Sequence, residues 1–133
     1  MREIISKIYA LEKVFHAKGC SDEQVREAEK KLGFTLPEEY AMYVKEFGAI
    51  SFFATEWTGL NVGGRINVVD ATMKERELNT HFPKDCFVVE NQAIDGIITV
   101  SNSDGKVFTV QHKNIVPLCD SLSEYLDICV SRK

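Results

Sequence analysis

The sequence predicts an α+β domain in which N-terminal helices and a C-terminal helix pack on a mostly antiparallel sheet. Three observations predict it. Up to Gly48, apolar side chains recur at helical spacing between punctuating glycines. After Gly48 the texture changes to short β-branched or aromatic runs bounded by glycine, asparagine or aspartate. Ser121 and Glu124 then form a helix-opening pair ahead of a last apolar stripe. Helices first, strands next and a closing helix last form a segregated order, which places the helices on one face of the sheet. The 133 residues fit one domain, 1–133, with no internal repeat or linker to divide it.

Each element has its own signal. Ile4, Ile8, Leu11 and Phe15 lie on one helical stripe, which Gly19 is expected to end. Ser21 with Gln24 is a capping box for a second helix, whose buried face is Val25, Ala28 and Leu32 and whose stop is Gly33. Phe34 and Leu36 anchor a short link. Pro37 suits the start of a third helix, and Glu38 and Glu39 sit in its first turn, at the positive end of the helix dipole. Tyr40, Tyr43, Val44 and Phe47 continue the stripe to Gly48.

Beyond it, "ISFFA", "INVV", "CFVVEN", "GIITVS" and "KVFTVQ" read as strands. The last three are joined by "QAIDG" and "NSDG", both turn chemistry, and so form an antiparallel meander. "TMKERELN" reads as a short helix with Thr72 and Glu75 as its capping box. Leu122, Tyr125, Leu126 and Cys129 make the stripe of the C-terminal helix.

Composition excludes several classes. A chain 44% hydrophobic and 27% charged is neither disordered nor of low complexity. A net charge of −4 argues against nucleic acid or an anionic membrane as the partner. No apolar run approaches the ~20 residues that span a bilayer, and Lys7 and Glu12 interrupt any signal-peptide core. Cys20, Cys86, Cys119 and Cys129 include no Cys-x-x-Cys pair. The expectation is a cytoplasmic protein with reduced, mostly buried thiols.

No set of residues reads as catalytic, cofactor-binding or metal-binding. His16, His81 and His112 are too far apart to share a helix face, and no cysteine has a partnered histidine at readable spacing. "NSDGK" lacks the acidic spacing of a calcium loop, and Gly63-Gly64 lacks a phosphate-loop pattern. Two stretches suggest protein recognition instead. In "ISFFATEWTGLN", Phe52, Phe53, Glu56 and Trp57 lie close together. Alternation buries one phenylalanine and exposes the other, and Trp57 is either core or an interface anchor. Residues 85–127 carry seven acids against two lysines, a net −5. Glu90, Asp95 and Asp104 among them read either as solvated turns or as an acidic face for a basic protein partner.

The stretch "SDEQVREAEKKLGFTLPEEYAMYVKEFG" resembles the signature of the SUKH superfamily, a group of bacterial immunity proteins with fungal cell-wall-regulator relatives. Glu29, Leu32, Gly33, Leu36, Pro37 and Tyr40 match the Glu-x-x-Leu-Gly and Leu-Pro-x-x-Tyr elements, whereas Phe47-Gly48 stands where the family usually has Asn-Gly. "HFPKDCFVVEN", "DGIITVSNSDGKVFTV" and "DSLSEYLDICV" resemble the later blocks in order. The resemblance implies a non-enzymatic α+β domain that neutralises a cognate polymorphic toxin, often a nuclease, encoded by a neighbouring gene. The alternative it implies is a regulatory interaction module for a host protein.

Overall fold

The computed structural model describes residues 3–132. Its elements run α1 (Glu3–Tyr9), β1 (Phe15–His16), α2 (Asp22–Leu32), α3 (Glu38–Phe47), β2 (Ile50–Phe52), β3 (Thr55–Glu56), a 3-10 turn (Gly64–Ile66), α4 (Val68–Leu78), β4 (Cys86–Asn91), β5 (Ile98–Asn102), β6 (Val107–Gln111), β7 (Asn114–Cys119) and α5 (Leu122–Ser131). The fold is α+β. Among the described residues it has two antiparallel sheets, a small one ordered β1-β2-β3 and a four-stranded meander ordered β4-β5-β6-β7.

The caps explain where α2 begins and ends and where α5 begins. The Ser21 hydroxyl accepts the Gln24 N–H and the Gln24 side chain accepts the Ser21 N–H, closing the capping box of α2. Gly33 then takes φ 92°, a left-handed conformation that a Cβ disfavours. Beyond it, Glu29 Oε2 accepts the Leu36 N–H at 2.8 Å, which folds the link back against α2. Glu39 reaches across to α5. Its Oε1 accepts the N–H groups of Leu122 (3.0 Å) and Ser123 (3.3 Å), and Ser121 Oγ accepts the Glu124 N–H. Three orphan donors of the α5 N-terminus are thereby satisfied, two of them by a carboxylate from another helix. Leu36, Tyr40, Tyr43, Val44 and Phe47 are all buried.

The meander is covered on both faces. Phe87, Val89 and Val107 join the main core with α3 and α5, while Val88, Val100 and Val110 form a second cluster with Phe82, against Ala71 of α4. One-sided helix packing, as element order suggested, is therefore corrected: α4 takes the opposite face of β4. A bulge at Val89 shifts the register between Val88 and Glu90. The extra residue turns Glu90 onto the α5 face, where strict alternation from Val88 would have pointed it at α4.

Other boundaries also differ from expectation. The first helix ends at Tyr9, and Phe15 lies in β1, exposed and paired with Ser51. Its helical spacing from Ile8 is overridden by pairing with a strand distant in sequence. "INVV" is no strand, because the Asn67 side chain accepts the N–H groups of Val69 (2.9 Å) and Asp70 (3.1 Å) and starts α4 there. Thr72 is consequently inside α4, where its buried hydroxyl accepts the Val88 N–H at 3.0 Å, so Thr72–Glu75 is no cap. β7 was not legible as a strand, and it carries Pro117, which an edge strand tolerates.

Candidate protein-interaction site

The site is built on a buried joint between α3 and the chain that follows β3. The Tyr43 hydroxyl donates to the Thr58 carbonyl at 2.8 Å and accepts the Ile50 N–H at 3.0 Å. The Tyr40 hydroxyl lies 2.8 Å from Thr58 Oγ1, which donates to the Val88 carbonyl at 2.7 Å. Next to the joint, two backbones nearly touch. The Leu60 N–H donates to the Gly48 carbonyl, and a Cβ on Gly59 would lie 1.7 Å from that oxygen. The Gly59 carbonyl also accepts the Val68 N–H, which fixes the start of α4 relative to β3.

These ties leave a groove of about 630 Å3 between α4, β3, the 3-10 turn and the end of β4. Its floor is Thr58, Ile66, Ala71 and Val88; its walls carry Glu56, Arg65, Asp70, Lys74 and Glu75. Arg65 is ion-paired with Glu56. Asp70 and Glu75 make no ion pair with any described residue. Burial raises the Glu75 carboxyl above its ordinary value, and the neighbouring Lys74 offsets this only in part. Two hairpin tips border the groove, contributing Ala54 and Asn91–Ala93 to its lining. At these tips Phe53 (φ 47°), Ala93 (57°) and Asp95 (52°) take left-handed conformations without being glycine. Phe53 is 64% exposed and Ile94 61%.

Glu90 forms one end of the floor. It is only 2% exposed. Its Oε2 accepts the Glu56 N–H at 3.1 Å, and its Oε1 accepts from the Tyr125 hydroxyl and from Arg132 Nη2 at 2.7 Å. It bolts β3, β4 and α5 together. Burial, then the Cys129 and Glu90 charges, push the Tyr125 hydroxyl well above its ordinary value, so it stays protonated and donates.

The sequence candidates divide in three. Glu56 and Glu90 line the groove, and Phe53 and Asp95 lie in the two hairpin tips that border it, next to its lining residues Ala54 and Ala93. Phe52 is buried, as alternation required of one of the pair. Trp57 is 0% exposed, packed edge-on to Tyr43 and stacked on Tyr125 at 5.8 Å, so its reading as an interface anchor is corrected to core. Of the three acids Glu90, Asp95 and Asp104, only Glu90 is removed from an exposed acidic face. The carboxylate of Glu90 is spent internally, and Asp104 borders a separate groove of about 230 Å3 between the starts of α3 and α5. Asp95, Asp104, Asp120 and Glu124 make no ion pair with any described residue, and further unpaired acids lie on α4 and α2. Sequence reading missed Arg65, Asp70, Lys74 and Glu75 because it read residues 66–69 as a strand. Asn67 taken as a helix cap would have put Asp70 and Lys74 one turn apart on an exposed helix.

Among the described residues no group of three or more His, Cys, Asp or Glu is placed to hold a metal, and no helix is long and apolar enough to cross a membrane. Cys86 and Cys129 are buried, and burial, reinforced by the adjacent Asp85, pushes the Cys86 thiol up to about 12. A helix corner tied to an antiparallel meander, with its apolar motif residues buried, defines the class: an α+β domain on the SUKH plan. The chain matches the family described as SMI1-KNR4 cell-wall (SUKH_5) across residues 1–130, and it belongs to that family. No curated protein matches it.

Proposed function

We propose that this chain is an immunity protein. It binds a cognate toxin one-to-one in the cytoplasm and neutralises it by occlusion, without turning over a substrate. The toxin is a secreted protein of the nuclease class, encoded beside this chain. The observation that carries the reading is family membership across residues 1–130. An acidic chain, net −4, suits a basic nucleic-acid-cleaving partner, because complementary fields speed encounter.

The test is co-expression. The toxin domain encoded by the adjacent gene is produced in a bacterial host with and without this chain, and the purified pair is titrated calorimetrically. Growth rescue with one-to-one binding is the expected result. A toxic neighbour that this chain neither rescues nor binds overturns the reading. The family's cell-wall description favours a second one, a regulatory module for a host protein. Deletion of the gene in the absence of any toxin separates the two, since only a regulator alters growth or wall integrity on its own.

A further inference from the structure

We infer that the groove beside α4 receives a protruding basic segment of the partner, a loop or helix presenting lysine or arginine between apolar residues. The inference rests on the reading of a protein partner and adds its face and chemistry. The groove asks for both kinds of side chain. Its floor of Ile66, Ala71 and Val88, with Phe53 and Ile94 exposed at the rim, matches apolar flanks. Its walls ask for a cation. Arg65 is occupied by Glu56, and Arg132 by Glu90, which leaves Asp70 and Glu75 against Lys74. Asp70 is shared with a second groove of about 640 Å3, walled by Glu23 and Glu27 against Lys31. None of these six residues forms an ion pair with a described residue, so across the two grooves, which meet at Asp70, four open carboxylates of α4 and α2 face two ammonium groups. Glu75 is the sharpest case. It is half-buried, partly stripped of water, and has no compensating hydrogen bond among the described residues. A guanidinium or ammonium seated beside it supplies what partial burial removed.

The rim suits the same role. Non-glycine tips at positive φ carry Phe53, edge-on to Phe52, and stand next to Ile94, both side chains mostly exposed and so open to apolar flanks of the inserted segment.

The test uses the whole chain and two short synthetic peptides, one alternating arginine with leucine and the other glutamate with leucine. Amide chemical shifts of the 15N-labelled protein are followed during titration of each. The expected result is saturable binding of the arginine peptide only, with shifts gathered at residues 64–75 and 91–94. The doubly substituted Asp70→Asn, Glu75→Gln protein, which keeps side-chain shape, should bind about tenfold more weakly with its unfolding transition retained. Shifts gathered around Asp104 and Asp120, equal binding of both peptides, no saturable binding, or an unweakened double variant would each overturn the inference. No toxin is needed, so failure here is distinct from failure of the immunity reading: a chain that protects cells equally well with and without Asp70 and Glu75 loses the groove and keeps the function.

Discussion

The helix corner at residues 29–48 and the hairpin tips at Phe53 and Ala93–Asp95 are built to opposite rules. In the corner, motif residues are buried or bonded: Leu36, Tyr40 and Tyr43 lie inside, Glu29 closes the link, and Glu39 caps a helix far along the chain. At the tips, the non-glycine residues Phe53, Ala93 and Asp95 take positive φ while the large apolar side chains of Phe53 and Ile94 face solvent. The corner has one solution for its side chains, because each satisfies a specific buried donor or void. The tips have many, since turns at the surface tolerate exchange. The family signature therefore marks the scaffold, and it is silent about the surface a partner meets.

Substitutions at the two regions should separate stability from binding. The largest loss is expected for Gly59→Ala, whose Cβ would collide with the Gly48 carbonyl. We expect more than about 4 kcal/mol, or failure to fold, read by urea denaturation. Leu36→Ala should cost about 2–5 kcal/mol through lost burial and a cavity. A Leu36→Ala protein with an unchanged midpoint but lost partner binding would invert the comparison. Glu39→Ala leaves two N–H groups of α5 without their acceptor and should cost about 1–3 kcal/mol, with exchange protection lost first in α5.

The tips should respond differently. Phe53→Gly removes an exposed ring and relieves a positive φ, so stability should move by less than about 0.5 kcal/mol while partner dissociation accelerates. A large loss of stability there would show that the tip belongs to the scaffold. The smallest effect is electrostatic. The Glu75 carboxyl is raised in the folded state, so its neutral form is favoured by folding. That contribution is full below the ordinary carboxylate pKa and is lost as pH rises through the raised value. Glu75→Gln should therefore melt slightly higher than the parent near neutral pH, and the gap should close on acidification. An equal gap at both pH values would remove burial as the cause.

What the sequence made legible follows from range of interaction. α2 and α5 were readable because their caps are local: Ser21 with Gln24, Gly33, and Ser121 with Glu124 lie within a few residues of what they cap. The meander was readable because "QAIDG" and "NSDG" join neighbours in sequence. Long-range pairing was not. Nothing near Phe15 announces Ser51, and nothing near Glu39 announces Leu122. Asn67 was a local signal overruled by the β-branched run around it, and that error concealed the α4 wall of the groove. The resemblance supplied the family, while the candidate site was half legible. Glu56 and Glu90 line the groove and Phe53 and Asp95 lie in the hairpin tips that border it, but Trp57 is drawn into the core by aromatic stacking and the carboxylate of Glu90 is turned onto α5 by the bulge at Val89, which residue type alone does not encode.

Trp57 is the only tryptophan of the chain, and its indole is sealed between Tyr43 and Tyr125. Intrinsic fluorescence therefore watches the scaffold and is blind to the groove. Emission should shift to the red as the core opens in denaturant, and should scarcely change when a partner arrives. A binding assay on this protein needs a dye placed at a hairpin tip, whereas an unfolding assay comes built in.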